Sequence, residues 1–366
     1  FQIKTKWGKK MQYPFIEVDI KKIKHNAKVV TDICKKHGVN PVGVTKVSSG
    51  SIELAQAMID GGIDTLGDSK LDNLEKFKDL PAKKMLLRLP AISEAKKLVE
   101  FADISLNSEI KTIEAISKEA VKLGKAHEIV LMIDVGDLRE GIFYENKDTI
   151  MEMVEHILTL EGVKLVGIGT NLTCYGAIIP SKENVGQLVD IKKEIEEKFN
   201  IELELISGGN SSSLCLIQHE ELPEGVNQMR LGTSIILGLV EVTWTMIPDT
   251  YNDAFKLKAE IVEIQEKPSM PIGEVAMDAF RNVPTFEDKG MMKRAICAIG
   301  KQDCDPQFML PDDENICILG SSSDHLILDI TNSDRDYEIG DILSFTLDYV
   351  AILRCMTSPY VERVYI

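Results

Sequence analysis

No stretch of the chain approaches the ~20 consecutive apolar residues that cross a bilayer, so no membrane partner is expected. Basic residues are in deficit. The 42 Lys and Arg face 58 Asp and Glu, a net charge of -16. A phosphate backbone calls for a basic face, so no nucleic-acid partner is expected either. The seven cysteines, at 34, 174, 215, 297, 304, 317 and 355, include no CxxC pair. An odd, scattered set reads as reduced thiols, and a cytoplasmic protein is expected. Metal-ligand spacing is missing, so no metal is expected. The basic opening, Phe1 to Lys10, has no apolar segment behind it and is not a signal peptide. Residues 1–10 are expected to be a foreign leader, with Met11 as the natural start.

What is present is repetition. With 366 residues, 44% hydrophobic and 27% charged, the chain suits a large barrel plus a second domain. Strand patterns occur at Pro41–Val47, Thr65–Asp68, Lys84–Leu89, Ile104–Asn107, Glu128–Val135, Val163–Thr170, Leu203–Ser207 and Val226–Leu231. Helical spacing alternates with them over 20–36, 52–59, 92–101, 110–123, 147–159 and 182–199, and a short helix opens at Ser211. This alternation predicts a (β/α)8 TIM-type barrel over 20–238. Beyond it the segments are short and turn-separated, which predicts a mainly antiparallel β domain over 239–366. An N-terminal strand within 11–19 is expected to join that domain. Cys34, Cys215 and Cys317 lie in apolar patterns and are expected in the core. His25, His37, His127, His156 and His219 are expected to be solvated.

In such a barrel the chemistry gathers where the strands end. Lys46 stands there, at the far end of an apolar run, and is expected to be buried. A buried lysine is costly unless its amine is neutralised or used covalently. On position alone, an amine that snorkels to the surface satisfies the same constraint. Further strand ends carry Asp134-Val-Gly-Asp-Leu-Arg139-Glu-Gly141, Gly169-Thr-Asn171, Ser207-Gly-Gly-Asn-Ser-Ser-Ser213 and Arg230-Leu-Gly232-Thr233. The Gly/Ser segment could hold a phosphate or simply make a turn and a helix cap. One amine, one phosphate cradle and two arginines on one rim suit an anionic aldehyde cofactor, pyridoxal 5'-phosphate.

These motifs, with Gly-Ser-Ser-Ser323-Asp324-His325 and Asp348-Tyr349-Val, resemble the fold-type III pyridoxal-phosphate enzymes, in the branch of alanine and ornithine racemases. The resemblance runs from Phe15 to Tyr365. It implies that Lys46 forms the covalent link to the cofactor and acts as one of two bases. Arg139 would approach the cofactor's phenolic oxygen and the substrate carboxylate. Asn210, Ser211, Gly232, Thr233 and Tyr349 would hold the cofactor, most of them at its phosphate. Asn171 would lie near the ring and Arg230 would face the pyridine nitrogen. An arginine there opposes protonation of that nitrogen and weakens the electron sink, which favours racemisation over transamination or decarboxylation.

The chain departs from alanine racemases at two tyrosine positions, which hold Ala276 and Gly50. The second base is therefore sought in Ser323 and His325, then Asp278 and Cys174; a Ser-Ser-Ser-Asp run is also an ordinary turn. Asp324, with Asp278, would pair with the distal amine of a diamino acid. The expected activity is interconversion of L- and D-ornithine by a homodimer with shared active sites. Alanine or lysine racemases are the nearest alternatives. A decarboxylase and a non-catalytic cofactor carrier are the others.

Overall fold

The structure, a computed structural model, describes residues 12–366. The expected leader at 1–10 lies outside the described residues. The chain divides into two compact units: Ile20–Asn252, and Asp253–Ile366 with the segment up to Asp19.

In the first unit parallel strands close into a barrel. They are Asn40–Val44, Thr65–Asp68, Lys83–Leu86, Ile104–Asn107, His127–Asp134, Val163–Gly169, Leu205–Ser207 and Gln228–Leu231. Each pairs with the next, and the last returns to the first with Arg230 opposite Val42. The predicted (β/α)8 barrel is thus present. Its interior is packed by Val42, Met85, Ile104, Leu106, Val130, Met132 and Val166. Ile104 with Leu106, and Val130 with Met132, share a face because strand side chains alternate.

The surrounding helices bury one stripe each. Ile20–Lys36 buries Ile23, Ala27, Val30 and Cys34, and Lys182–Phe199 buries Val185, Leu188, Ile191 and Ile195. The second of these is capped reciprocally: Ser181 Oγ accepts from the Asn184 N–H, and Asn184 Oδ1 from the Ser181 N–H. One helix, Leu71–Lys76, is absent from the sequence reading. Six residues with two apolar positions are too few to show a period. The barrel unit also runs past the expected boundary at 238. Its last segment is tied back by Asn26, whose side chain bonds the Tyr251 backbone at both N–H and carbonyl.

The second unit is a largely antiparallel sheet around the long strand Phe255–Pro268. That strand pairs antiparallel with Phe15–Val18, Met291–Cys297 and Ile342–Leu347. Phe15–Val18 also pairs, in parallel, with Glu362–Tyr365. One expectation fails here, and one element stands outside the expected strands. Cys317 is exposed, because its strand Cys317–Ser321 is an edge strand with one partner. Tyr349–Thr357 is a helix that was not foreseen; Asp348 caps it, its carboxylate accepting from the Tyr349 N–H at 2.6 Å.

His127 is also corrected. It is buried at the start of the fifth barrel strand, 2% exposed, with Nε2 2.8 Å from Ser105 Oγ. Burial pulls its pKa down from 6.5 to about 4. The unfolded chain therefore takes up this proton near pH 6.5 and the folded barrel only near 4. The His127 contribution is intact above pH 6.5 and falls away as pH drops to 4. The total loss is about 3 kcal/mol. Urea unfolding at pH 7 and pH 4.5 measures it; His127→Gln should flatten the difference, and equal losses in both proteins would remove His127 as the cause. A second prediction concerns strand packing. A Cβ on Gly167 would stand 2.1 Å from the Leu205 carbonyl oxygen on the neighbouring strand. Gly167→Ala should cost about 3 kcal/mol in the same assay.

Candidate active site

The first barrel strand ends at Val44, and Thr45 turns the chain at the rim. Lys46 opens a single 3₁₀ turn, Lys46–Ser48, and is exposed, not buried as expected. Its side chain leaves the packed interior because the backbone has already turned. What is buried is the support beneath it. Asp68, fully buried at the end of the second strand, accepts from Thr45 Oγ1 at 2.7 Å, Asn73 Nδ2 at 3.0 Å and the Lys70 N–H at 2.9 Å. Burial raises its carboxyl pKa, and the donors oppose that rise. Asn73 also lies against Gly50, where φ is +73°. A Cβ on residue 50 would come 2.6 Å from Asn73 Oδ1, so no larger residue fits this turn as built.

Across the rim, the seventh and eighth strands bring Asn210, Ser211, Gly232 and Thr233 together. Asn210 Oδ1 accepts from the Ser212 N–H at 2.8 Å and caps the turn Ser211–Ser213. Ser211 Oγ accepts from the Gly232 and Ser234 N–H groups at 3.1 and 3.3 Å. The hydroxyls of Ser213 and Ser234 are buried without a hydrogen-bond partner. Converging backbone donors and unused hydroxyls match what a phosphate group requires. Asn210 Nδ2 donates to Asn171 Oδ1 at 3.2 Å, to the Leu172 carbonyl at 3.0 Å and to Cys174 Sγ at 3.1 Å. Asn171 Nδ2 is a buried donor with no partner. The residues present therefore fit a phosphorylated cofactor with a polar ring.

Arg230 is fully enclosed, 4% exposed. Its guanidinium donates to Ser207 Oγ and, at 2.5 Å, to the Thr170 carbonyl. Burial lowers its pKa to about 10, so it stays charged near neutrality. Glu140 adds attraction; Arg139 works against the charge. Arg139 and Glu140 sit together on the loop after the fifth strand, where Asp134 Oδ1 accepts from the Gly136 and Leu138 N–H groups. Arg139 donates through Nε and Nη2 to the two carboxylate oxygens of Glu140. The fully buried Asp137 reaches the next loop and accepts from the N–H groups of Tyr175 and Gly176 at 3.1 and 3.0 Å.

The barrel unit thus gathers Arg139, Asn171, Asn210, Ser211, Arg230, Gly232 and Thr233 on one rim with Lys46. Asp278, Ser323, Asp324, His325 and Tyr349 belong to the β unit. There Asp324 Oδ1 receives Ser322 Oγ at 2.9 Å, Ser323 Oγ at 3.3 Å and His325 Nδ1 at 3.0 Å. Hydrogen bonds from Ser322 and His325 hold the Asp324 carboxyl below its ordinary value. Asp278 Oδ1 accepts from the Phe280 and Asn282 N–H groups, both at 2.8 Å, closing its own turn. Two acids went unread in the sequence. Glu140 adjoins Arg139 in a motif already singled out, so the signal was available. Glu241, whose carboxyl is pushed up by burial and drawn back by Lys46, comes close only through the fold.

No helix among the described residues is long and apolar enough to cross a membrane, and no group of three His, Cys, Asp or Glu there could hold a metal ion. The family model for the alanine racemase N-terminal domain matches residues 18–239. The chain is 46% identical over 351 residues to the ornithine racemase of Acetoanaerobium sticklandii, covering 96% of this chain and 99% of that protein. It is 38% identical over 357 residues to the lysine racemase of Thermotoga maritima, covering 97% and 99%. Among solved structures, an alanine racemase from a D-cycloserine-producing Streptomyces lavendulae shares the fold, with TM-score 0.73, 15% identity and 98% of each chain covered. The barrel, its cradle and these likenesses agree: the chain belongs to the alanine racemase family of pyridoxal-phosphate enzymes.

Proposed function

We propose that the protein is an amino-acid racemase whose substrate is ornithine. The near-full-length likeness to an ornithine racemase carries this reading. Lysine is the second substrate to consider, because a lysine racemase is also similar over nearly the whole chain. Pyridoxal 5'-phosphate, when bound, supplies the electron sink that makes the Cα–H bond of an attached amino acid acidic.

The residues divide the remaining work. Lys46 would hold the cofactor before substrate arrives and, once released, would move the proton at Cα on one face. Its rim position, exposed above a rigid Asp68–Thr45 support, suits an amine that must reach a substrate. Ser211, Gly232 and Thr233 would hold the phosphate, with Asn210 fixing the serine turn, and the family likeness would add Tyr349 to that hold. Asn171 would offer its unpartnered amide to the ring. Arg139 binds the substrate carboxylate. Arg230, charged and desolvated, would oppose a proton on the pyridine nitrogen and so keep the sink weak, which would protect against side reactions.

On the opposite face, His325 gives and takes the Cα proton. Asp324 engages Nδ1 at 3.0 Å, which leaves Nε2 for substrate. Ser323 shares that carboxylate. Asp324, with Asp278, offers negative charge to a distal ammonium. Both belong to the β unit, and we place that unit's contribution across a homodimer. The loop between Pro268 and Met291 exposes Ile272, Val275, Met277 and Val283, an apolar strip suited to a second copy. Unpaired cysteines at all seven positions favour a cytoplasmic setting.

Purified holoenzyme should abolish the optical rotation of D- or L-ornithine faster than that of lysine, and much faster than that of alanine. Carbon dioxide release from L-ornithine would overturn the reaction type. Lys46→Ala should reduce activity at least ~10³-fold, as expected when a group essential to covalent chemistry is removed. In deuterated water, His325→Asn should still exchange the α-proton of one enantiomer while net inversion falls. Equal loss of exchange and inversion would assign the second proton elsewhere, with Cys174 next.

A further inference from the structure

Glu140 is a charged group of the rim that the reading above leaves without work. It is next to Arg139 in sequence, and its side chain is only 15% exposed. Arg139 grips it with a two-point contact, the Nη2–Oε1 arm being 2.5 Å. The loop geometry holds both residues in place. Leu138 takes φ +57°, and Gly141 takes φ +121° with its Cα so close to the fifth strand that a Cβ would stand 2.6 Å from the Asp134 nitrogen. Glu140 also attracts the fully buried Arg230.

A guanidinium presents its Nε–Nη2 edge to one carboxylate at a time. That edge of Arg139 is taken by a carboxylate of the chain itself. We propose that Glu140 is a specificity-determining residue, a resident carboxylate that competes with anionic ligands at Arg139. This rests on the reading that Arg139 binds the substrate carboxylate. An incoming amino acid must displace Glu140 or share the fork with it, so carboxylate binding is weakened. A second carboxylate on the substrate, as in aspartate or glutamate, would meet Glu140 directly. A cationic side chain would not be penalised. The result is a rim that accepts one carboxylate loosely and rejects acidic side chains.

The probe is propionate, which has a carboxylate and no amine, titrated calorimetrically into purified holoenzyme. Glu140→Gln should bind it roughly tenfold more tightly than the native protein, a change of about 1.4 kcal/mol. Glu140→Asp should tighten it by roughly threefold, an intermediate step on the same scale; it carries the test alone if the glutamine variant does not fold. L-Glutamate should become a competitive inhibitor of ornithine racemisation only in the Glu140→Gln protein. Arg139→Gln separates the two ideas. If it loses propionate binding while the Glu140 variants bind as the native protein does, the Glu140 assignment is wrong and Arg139 keeps its role. If Arg139→Gln binds propionate normally, the carboxylate site lies elsewhere and both assignments fail.

Discussion

The charge of Arg230 is the constraint from which the rim is built. A guanidinium taken wholly out of water must find its donors' partners within the fold, or the cost of burial is not met. It finds them on two neighbouring strands. Thr170 offers its carbonyl just beyond the sixth strand, and Ser207 its hydroxyl at the end of the seventh. Ser207 is itself donating to Gln228 Oε1 at 2.9 Å, on the same strand as Arg230. Three strand ends are thereby fixed relative to one another through a single cation. The Asn210 turn follows the seventh strand and the Gly232–Ser234 donors follow the eighth, so the cradle inherits its geometry from that bond set. Parallel closure supplies the rest, because every strand delivers its C-terminal residue to the same rim.

A similar economy governs the loops that rise above the rim. Asp137 is a fully buried carboxylate between the Arg139 loop and the following one. It holds the Tyr175 and Gly176 N–H groups in a segment where Thr173 and Ala177 both have positive φ. Non-glycine residues at positive φ persist where surrounding contacts impose them. One carboxylate thus sets two loops, and with them the mutual position of Arg139 and Cys174. That proximity is reflected in the attraction between the Arg139 charge and the Cys174 thiol.

Much of this was legible in the sequence, for identifiable reasons. The barrel was, because alternation of two periods over a long stretch needs no tertiary knowledge. The rim residues were, because each strand end carries its polar residues in a contiguous motif. Lys46 was legible in place and misread in environment: the strand stops two residues short of it, and strand ends are decided by where partners pair. His127 failed for the opposite reason. Standing just before the strand pattern at Glu128, it reads as a solvated turn residue, yet the strand begins at His127 and the fold pairs it with Ser105 in the interior. The approach of Glu241 to Lys46 depends on tertiary packing, which no local period records; the helix Tyr349–Thr357 does carry a local signal, burying Ala351, Ile352, Cys355 and Met356 at helical spacing behind the Asp348 cap.

The rim's electrostatics form the last step. Lys46, Arg139 and Arg230 bring three positive charges to one end of the barrel, and a cofactor phosphate offsets part of them. An anionic amino acid would suit such a surface well if nothing else were present. Glu140 and Glu241 change that balance, each set beside one of the cations. A carboxylate that is partly desolvated keeps its charge only by holding a positive partner. Burial raises the Glu241 carboxyl and Lys46 draws it back, while Glu140 is held in a two-point contact by Arg139. The barrel rim is therefore not uniformly cationic: its acids are set among its cations, and a second carboxylate brought to it meets charge of its own sign.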